Sequence, residues 1–426
     1  KMKWMFISPK YIIALLLIVV LATTIANPWE TARAAPTGSE SVIAWNTIMI
    51  RTVITVGQQP PPPSFVYATY AQTAVYNAVV AIEGGYQSYK SNLDRHPDAS
   101  VAAAVATAAH NVLVHYFPLQ QMALDTDYST FMATIPDDAA RIKGIDVGNA
   151  AAEELITLRT GDGLNADIGF SMPTPAPGVW QLPAGVSPQV PWMSKLKPFM
   201  LESPDQFRPG PPPDLGSDEW ASEYNESLHY GRRDSTVRTP EQTTIVRFWS
   251  GPPMSQFNSV FQQLANSRGL SAVQTARLMA MGNMVTADAL IGCFDAKYHY
   301  LFWRPAFAIP LGDTDGNPNT LADPTFVPLL PTPPHPEYPS AHGCVTSAEA
   351  EMFTQFLGTQ HINVDIPSSV AGISPQHFKN ANDLTKQIIN ARVWGGLHYR
   401  GSMIAGVNLG RKVAHWTLKQ YFQPTN

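Results

Sequence analysis

"SAVQTARLMAMGNMVTADALIGCFDAKYHYLFWRP", residues 271–305, reads as one long helix. Apolar residues recur at three- and four-residue intervals, and no proline interrupts the run before Pro305. The pattern predicts a helix that ends at Arg304-Pro305. On such a helix Lys297 and Arg304, seven positions apart, lie nearly two turns from one another and share a face. Two cations on a stripe that is otherwise aromatic and apolar repel one another unless something negative sits between them. The plainer alternative is a lysine that snorkels to the surface and an arginine that meets a carboxylate at the helix end.

The same periodicity extends in both directions. The stretches 39–56, 65–84, 99–117 and 137–161 on the N-terminal side are apolar-periodic with frequent alanine, and 340–358, 378–396 and 398–422 on the C-terminal side also read as helices. Proline-rich connectors separate them: "QQPPPPSF", "MPTPAPGVWQLPAGVSPQVP", "RPGPPPDLG" and "LPTPPHPEYP". Such segments are expected to run as loops, because proline removes a backbone donor and clashes inside helices and sheets. The fold class is therefore mainly α, with helical bundles packed around a site, long proline-rich loops and little or no sheet. An N-terminal helical half over 35–235 and a second helical bundle over 236–426 are expected, either as two bodies or as one compact domain.

With 45% apolar and 14% charged residues, the 426-residue chain is globular. A net charge of -5 gives no basis for binding nucleic acid or an anionic membrane surface. At the N-terminus, lysines precede an apolar run from Tyr11 to about Ile25, and Ala32-Arg33-Ala34 follows as a small-residue cleavage pattern. Residues 1–34 thus read as a signal peptide, with no stable membrane span once it is removed and a secreted or periplasmic location. An uncleaved anchor is the second reading. The two cysteines, Cys293 and Cys344, are equally compatible with a bridge and with two buried thiols. The sequence does not specify the oligomeric state.

Two further clusters matter. In "EYPSAHG", residues 337–343, Ser340 suits the cap of a helix whose first N–H groups belong to Ala341, His342 and Gly343. A helix start of this kind is also an anion site. In "ARVWGGLHYR", residues 391–400, Gly395-Gly396 breaks a helix between Arg392 and His398. Each cluster alone has a bland reading, as a cap or as an ordinary helix-end cation. Together, Lys297, Arg304, Arg392, the Ser340 hydroxyl and a helix N-terminus are what a dry pocket needs to hold a multiply charged oxyanion. His398 can then bond to its central atom while His342 moves protons.

The order K-x6-R-P, P-S-(G/A)-H and R-x5-H resembles the superfamily of type 2 phosphatidic acid phosphatases and vanadium haloperoxidases. Here it runs as Lys297…Arg304-Pro305, Pro339-Ser340-Ala341-His342 and Arg392…His398. "CFDAKYHYLFWRPAFAI", "HPEYPSAHGCVTSA", "PGVW" and "LESPDQFRPGPPP" look like the secreted bacterial haloperoxidase branch, so the resemblance spans about residues 40–420. It implies a vanadate cofactor, with phosphate able to occupy the same site. His398 is implied as the metal ligand; Lys297, Arg304, Ser340, Arg392 and the N–H of Ala341 as holders of the oxyanion; and His342 as the acid–base group. The implied partners are hydrogen peroxide, a halide and an organic acceptor. The alternative is a phosphomonoesterase with His398 as nucleophile, and a third possibility is an oxyanion binder without turnover.

Three positions depart from the family pattern: Ala341 where glycine is common, Ala391 where serine is common, and Ser402 where an aspartate is frequent. His335, five residues before Ser340, matches a histidine of the algal bromoperoxidases, whereas the fungal chloroperoxidase type has an aromatic there. The resemblance makes His335 a halide-tuning residue and points to bromide or iodide; its plainer reading is a loop histidine between prolines. The other histidines, including His110, His115 and His299, have no partner pattern.

Overall fold

Helix follows helix along the chain: α1 (Gly38–Ile50), α2 (Pro61–Glu83), α3 (Val101–Tyr116), α4 (Gln121–Met132) and α5 (Ala139–Arg159). After a long loop come α6 (Asp218–Gly231), α7 (Pro240–Phe248), α8 (Pro253–Arg268), α9 (Ala272–Tyr300) and the single turn α10 (Pro305–Ala308). The C-terminal part holds α11 (Ala341–Leu357), the antiparallel hairpin β1 (His361–Ile366) and β2 (Gln376–Asn380), α12 (Ala381–Trp394) and α13 (Arg400–Thr417). The structure is a computed structural model and describes residues 36–425. The expected leader, 1–34, lies outside the described residues. From Pro36 onward the chain is one compact unit. No described helix is long and apolar enough to cross a membrane.

Short polar side chains set many of the helix starts. Thr37, Thr239 and Ser271 each close a capping box with Glu40, Gln242 and Gln274. Ser100, Asp138 and Ser217 cap α3, α5 and α6 with a single bond. Prolines do more than the reading of "QQPPPPSF" as a loop allowed. Pro61, Pro62 and Pro63 form the first turn of α2, and Pro253 opens α8. The first N–H groups of a helix have no intrahelical acceptor, so proline's missing donor costs nothing there.

Helix α9 is the shared beam of the fold. It packs against α1 and α2 from the N-terminal half and against α11 and α13 from the C-terminal part. Its side chains from Leu278 to Lys297 are buried throughout, as are those of α2 from Pro62 to Ile82. Buried polar groups along it are paired. Asn258 bonds Asn46 at 2.8 Å and Asn283 at 3.0 Å, which ties α1, α8 and α9 together. Asp288 accepts the backbone N–H groups of Phe199, Met200 and Leu201 at 2.7, 2.7 and 3.0 Å and so clamps the long loop onto α9.

The end of α9 differs from the sequence reading. The helix stops at Tyr300, where Leu301 turns left-handed at φ 50°. Phe302 then pairs in extended form with Val179, and Trp303 donates its N–H to Gly178 O at 3.0 Å. Phe302 and Trp303 pack into an aromatic cluster with Trp220, Tyr224 and Tyr399. Burying Phe302 and Trp303 outweighs continuing the helix, so Lys297 and Arg304 do not share a helical face. Lys297 stands on the last turn of α9, and Arg304 precedes α10 in extended backbone. Cys293 and Cys344 are both buried and both free.

Helices α11 and α13 approach closely because glycines face the contact. A Cβ on Gly410 would meet Cys344 O at 2.2 Å and the Ser347 hydroxyl at 2.3 Å. Gly410→Ala should therefore destabilise the fold by about 1–3 kcal/mol through overpacking, read as a lower denaturant midpoint at unchanged m-value.

Candidate active site

Ser340 caps α11: its hydroxyl accepts the N–H of Gly343 at 3.4 Å, and its own N–H donates to Ser402 O at 3.1 Å on α13. The N–H groups of Ala341 and His342 head the helix and have no intrahelical acceptor. His342 is half-buried on a cavity wall, and its imidazole forms no hydrogen bond to another described residue. Burial and the neighbouring Arg392, Arg304 and Lys297 push its pKa well below the usual histidine value, so the ring is neutral at neutral pH.

Three cations are buried within this region. Lys297 Nζ donates to Pro336 O at 2.8 Å and Glu337 O at 2.9 Å. Arg304 donates through Nε to His335 O at 3.0 Å, and through Nη1 to Leu397 O at 2.8 Å and His398 Nε2 at 3.1 Å. Arg392 Nη1 donates to Trp249 O at 3.2 Å, while its buried Nε has no partner. Burial lowers Lys297 to about 8, Arg304 to about 10 and Arg392 to about 9, which leaves all three charged at neutral pH.

His398 lies between α12 and α13. Gly396 makes the required turn at φ +71°, where a Cβ would meet Gly231 O at 2.5 Å. The functional partner that the sequence reading missed is Glu337. Its fully buried carboxylate accepts from His398 Nδ1 at 2.7 Å and from the Tyr399 N–H at 3.1 Å, and its other oxygen is unpartnered. Burial raises its pKa to about 7, against the pull of Arg304 and Lys297. With Nδ1–H given to Glu337, the His398 lone pair is on Nε2, facing Arg304. His335 is ordered similarly. Its Nδ1 lies 2.9 Å from Arg304 Nη2 and 3.2 Å from Pro336 O; with the closer arginine as donor, the free N–H is on Nε2. The signal for Glu337 was in plain view, as the first residue of "EYPSAHG", but nothing in its spacing ties it to a histidine 61 positions later.

One cavity of ≈ 200 Å³ gathers His335, Ala341, His342, Arg392 and His398 on its wall. Arg304 reaches it through its bonds to His398 and His335, and Lys297 lies behind the Pro336 and Glu337 carbonyls. Ser340 is not on the wall; its hydroxyl is turned to the helix cap. His110 and His377 are paired elsewhere, with Asp125 and Asp365. No described group of three or more His, Cys, Asp or Glu side chains could hold a bare metal ion. The residues instead fit an oxyanion, with Arg392 Nε unpaired and three cations beside one carboxylate.

Comparison with known proteins finds vanadium haloperoxidases. Residues 277–426 match the family described as the VCPO second helical-bundle domain. The vanadium chloroperoxidase of Curvularia inaequalis is 25% identical over an alignment of 210 residues, covering 40% of this chain and 34% of that protein. The match thus spans about a third of the length of that relative. The solved structure of the first bacterial vanadium-dependent iodoperoxidase superposes with a TM-score of 0.75 at 23% identity, over 90% of this chain and 95% of that one. An apo bacterial vanadium-dependent chloroperoxidase gives 0.70 at 16% identity, over 85% and 95%.

Inorganic phosphate should raise the thermal midpoint of the protein, by the equivalent of about 2.7 kcal/mol at a hundredfold excess over its Kd. Arg392→Ala, which removes the cation with a free buried N–H, should weaken phosphate binding tenfold or more by calorimetry. Equal affinity in the variant would exclude Arg392 from the anion site.

Proposed function

We propose that this chain, of the vanadium haloperoxidase family, is an exported vanadate-dependent haloperoxidase that oxidises halide with hydrogen peroxide. The observation that carries the reading is the pairing of an oxyanion cradle with two differently prepared histidines. His398 is oriented by Glu337 with Nε2 turned toward the cations; His342 is neutral, unpaired and on the cavity wall. Residues 236–426 act as the catalytic half, and the leader-like residues 1–34 support export.

Vanadate fits this donor set. His398 Nε2 would bind the metal, and Arg304, Arg392, Lys297, the Ser340 hydroxyl and the Ala341 N–H would hold its oxygens. For Ser340 this requires its hydroxyl to turn from the cap it now makes. Bound there, vanadate supplies the Lewis-acid centre that activates peroxide toward halide. The protein does the rest. The buried cations disperse negative charge on the guest: backbone carbonyls hold Lys297, Arg304 and Arg392 in place, and the Arg304 Nη1 group now at His398 Nε2 would turn to the guest when that nitrogen binds. The neutral His342 ring accepts a proton from incoming hydrogen peroxide and returns it as the peroxide O–O bond breaks. The balance is H2O2 + X⁻ + H⁺ → HOX + H2O, with halide oxidised and peroxide reduced. The Glu337 carboxylate keeps the Nδ1 proton of His398 in place, so that Nε2 stays an electron-pair donor.

Iodide and bromide are favoured over chloride, because they give up electrons more readily and His335 offers a neutral N–H rather than an aromatic edge. A similar solved structure, at 23% identity, is an iodoperoxidase, which is consistent with this choice. The phosphomonoesterase reading uses the same cradle, but the compared proteins favour the peroxidase.

Loaded with orthovanadate and given hydrogen peroxide, the protein should form triiodide from iodide and brominate phenol; vanadate-free protein should do neither. His398→Ala should abolish turnover, and His342→Ala should lower it about 10²-fold or more. Glu337→Gln should lower it about 10- to 100-fold while phosphate still binds. A folded, phosphate-binding protein without vanadate-dependent iodide oxidation would sink the reading, and hydrolysis of p-nitrophenyl phosphate by that protein would replace it.

A further inference from the structure

We infer that the cavity beside His342, Arg392 and His398 also binds the organic acceptor, and that it selects a neutral, electron-rich single-ring compound. The inference rests on the haloperoxidase reading and adds the substrate class to it. The cavity, at ≈ 200 Å³, is larger than a five-atom tetrahedral oxyanion requires. An apolar cavity of about 150 Å³ already takes up benzene, and a ring sharing this space with the oxyanion extends toward the exposed Pro61 and half-buried Gln189.

The walls decide what fits in the remaining space. Phe65 from α2, Leu290 from α9 and Val345 from α11 are almost wholly buried and form an apolar interior. Pro61, which is exposed, and Pro334, which is half-buried, line its more open side. Arg392 is the one charged residue of the lining, and an oxyanion bound against it leaves a charged acceptor without a partner. Such an acceptor would lose its hydration uncompensated, whereas a neutral ring loses little. A single polar handle stands at the half-buried mouth. The backbone of Gln189 is pinned, its N–H donating to Pro334 O at 2.7 Å and its carbonyl accepting from Tyr298 at 2.6 Å. Its side-chain amide bonds no other described residue and is available to a ring hydroxyl or carbonyl.

A ring held there meets the oxidised halogen where it forms. The exchange is ArH + HOX → ArX + H2O: the carbon–hydrogen bond gives way to carbon–halogen, and the released proton leaves with hydroxide as water. Halogenation by this protein is then selective for what the cavity admits, not for whatever a freely diffusing hypohalite encounters.

Two readouts test this. Phenol, neutral at pH 7, should bind saturably to the phosphate-loaded protein in ligand-observed NMR. Val345→Phe, which fills the interior, should weaken that binding fivefold or more. Gln189→Trp, on the rim loop and away from the core, should do the same. In turnover, a mixture of phenol and 4-hydroxybenzenesulfonate should be brominated with a product ratio shifted at least fivefold toward phenol, relative to reagent hypobromite. Absence of saturable phenol binding, binding unchanged in both variants, or a product ratio equal to that of reagent hypobromite each overturns the inference. Failure of vanadate-dependent iodide oxidation removes the underlying reading instead, and phenol binding to the phosphate-loaded protein still decides the cavity.

Discussion

Lys297, Arg304 and Arg392 are buried together with a single carboxylate, Glu337, among them, and most of the surrounding architecture follows from that charge imbalance. Removing three cations from water is costly unless acceptors replace the water. The acceptors are mainly backbone carbonyls of His335, Pro336, Glu337, Trp249 and Leu397. The segment "PPHPEYP" at 333–339 suits this task for a chemical reason. Its four prolines carry carbonyls but no N–H, so it can be buried beside cations without leaving donors unpaired. What reads as a loop-forming tract is the acceptor shell of the site.

Helix geometry then fixes where those acceptors stand. Because α9 stops at Tyr300, the chain can turn and pair Phe302 with Val179, which brings Arg304 around to His335 and His398. An unbroken helix would have carried Arg304 along its own axis instead. On the other side, the close approach of α11 to α13 places the Ser340 cap against Ser402, one turn beyond His398. The N-terminal half contributes no charge to the lining, but through Phe65 and the first turn of α2 it supplies apolar wall. The two halves differ in task, and α9 couples them.

Much of this was legible in the sequence. Three-to-four-residue periodicity located most of the long helices, and the Pro-Ser before a helical run located the α11 cap. The three cationic and histidine clusters, taken in order, pointed to one oxyanion site. What was illegible depended on tertiary competition. Nothing local says that Phe302 and Trp303 gain more by joining Trp220, Tyr224 and Tyr399 than by staying helical. Prolines 61–63 were read as breakers because a tract gives no sign of where the first turn of α2 begins. The two thiols were undecided because spacing along the chain does not report separation in space. Glu337 escaped because a buried carboxylate is recognised by its partner, and the partner is across the site. Ser402, where an aspartate is frequent, signals that support for His398 comes from elsewhere. The Ser402 hydroxyl meets the Glu337 carbonyl at 3.4 Å, beside the carboxylate that takes that role.

The division between fixed and free groups carries the chemistry. Arg304 has nearly every N–H committed, and His398 and His335 are each oriented by a charged neighbour. These groups are held in place before a guest arrives, and only the Arg304–His398 contact has to open for one to bind. His342, the Arg392 Nε and the Gln189 amide are uncommitted, and all three residues contribute to the cavity wall. A cradle of this kind suits the tetrahedral oxyanion proposed for it. The reaction that follows is therefore decided by the uncommitted groups and by what the apolar part of the cavity lets in.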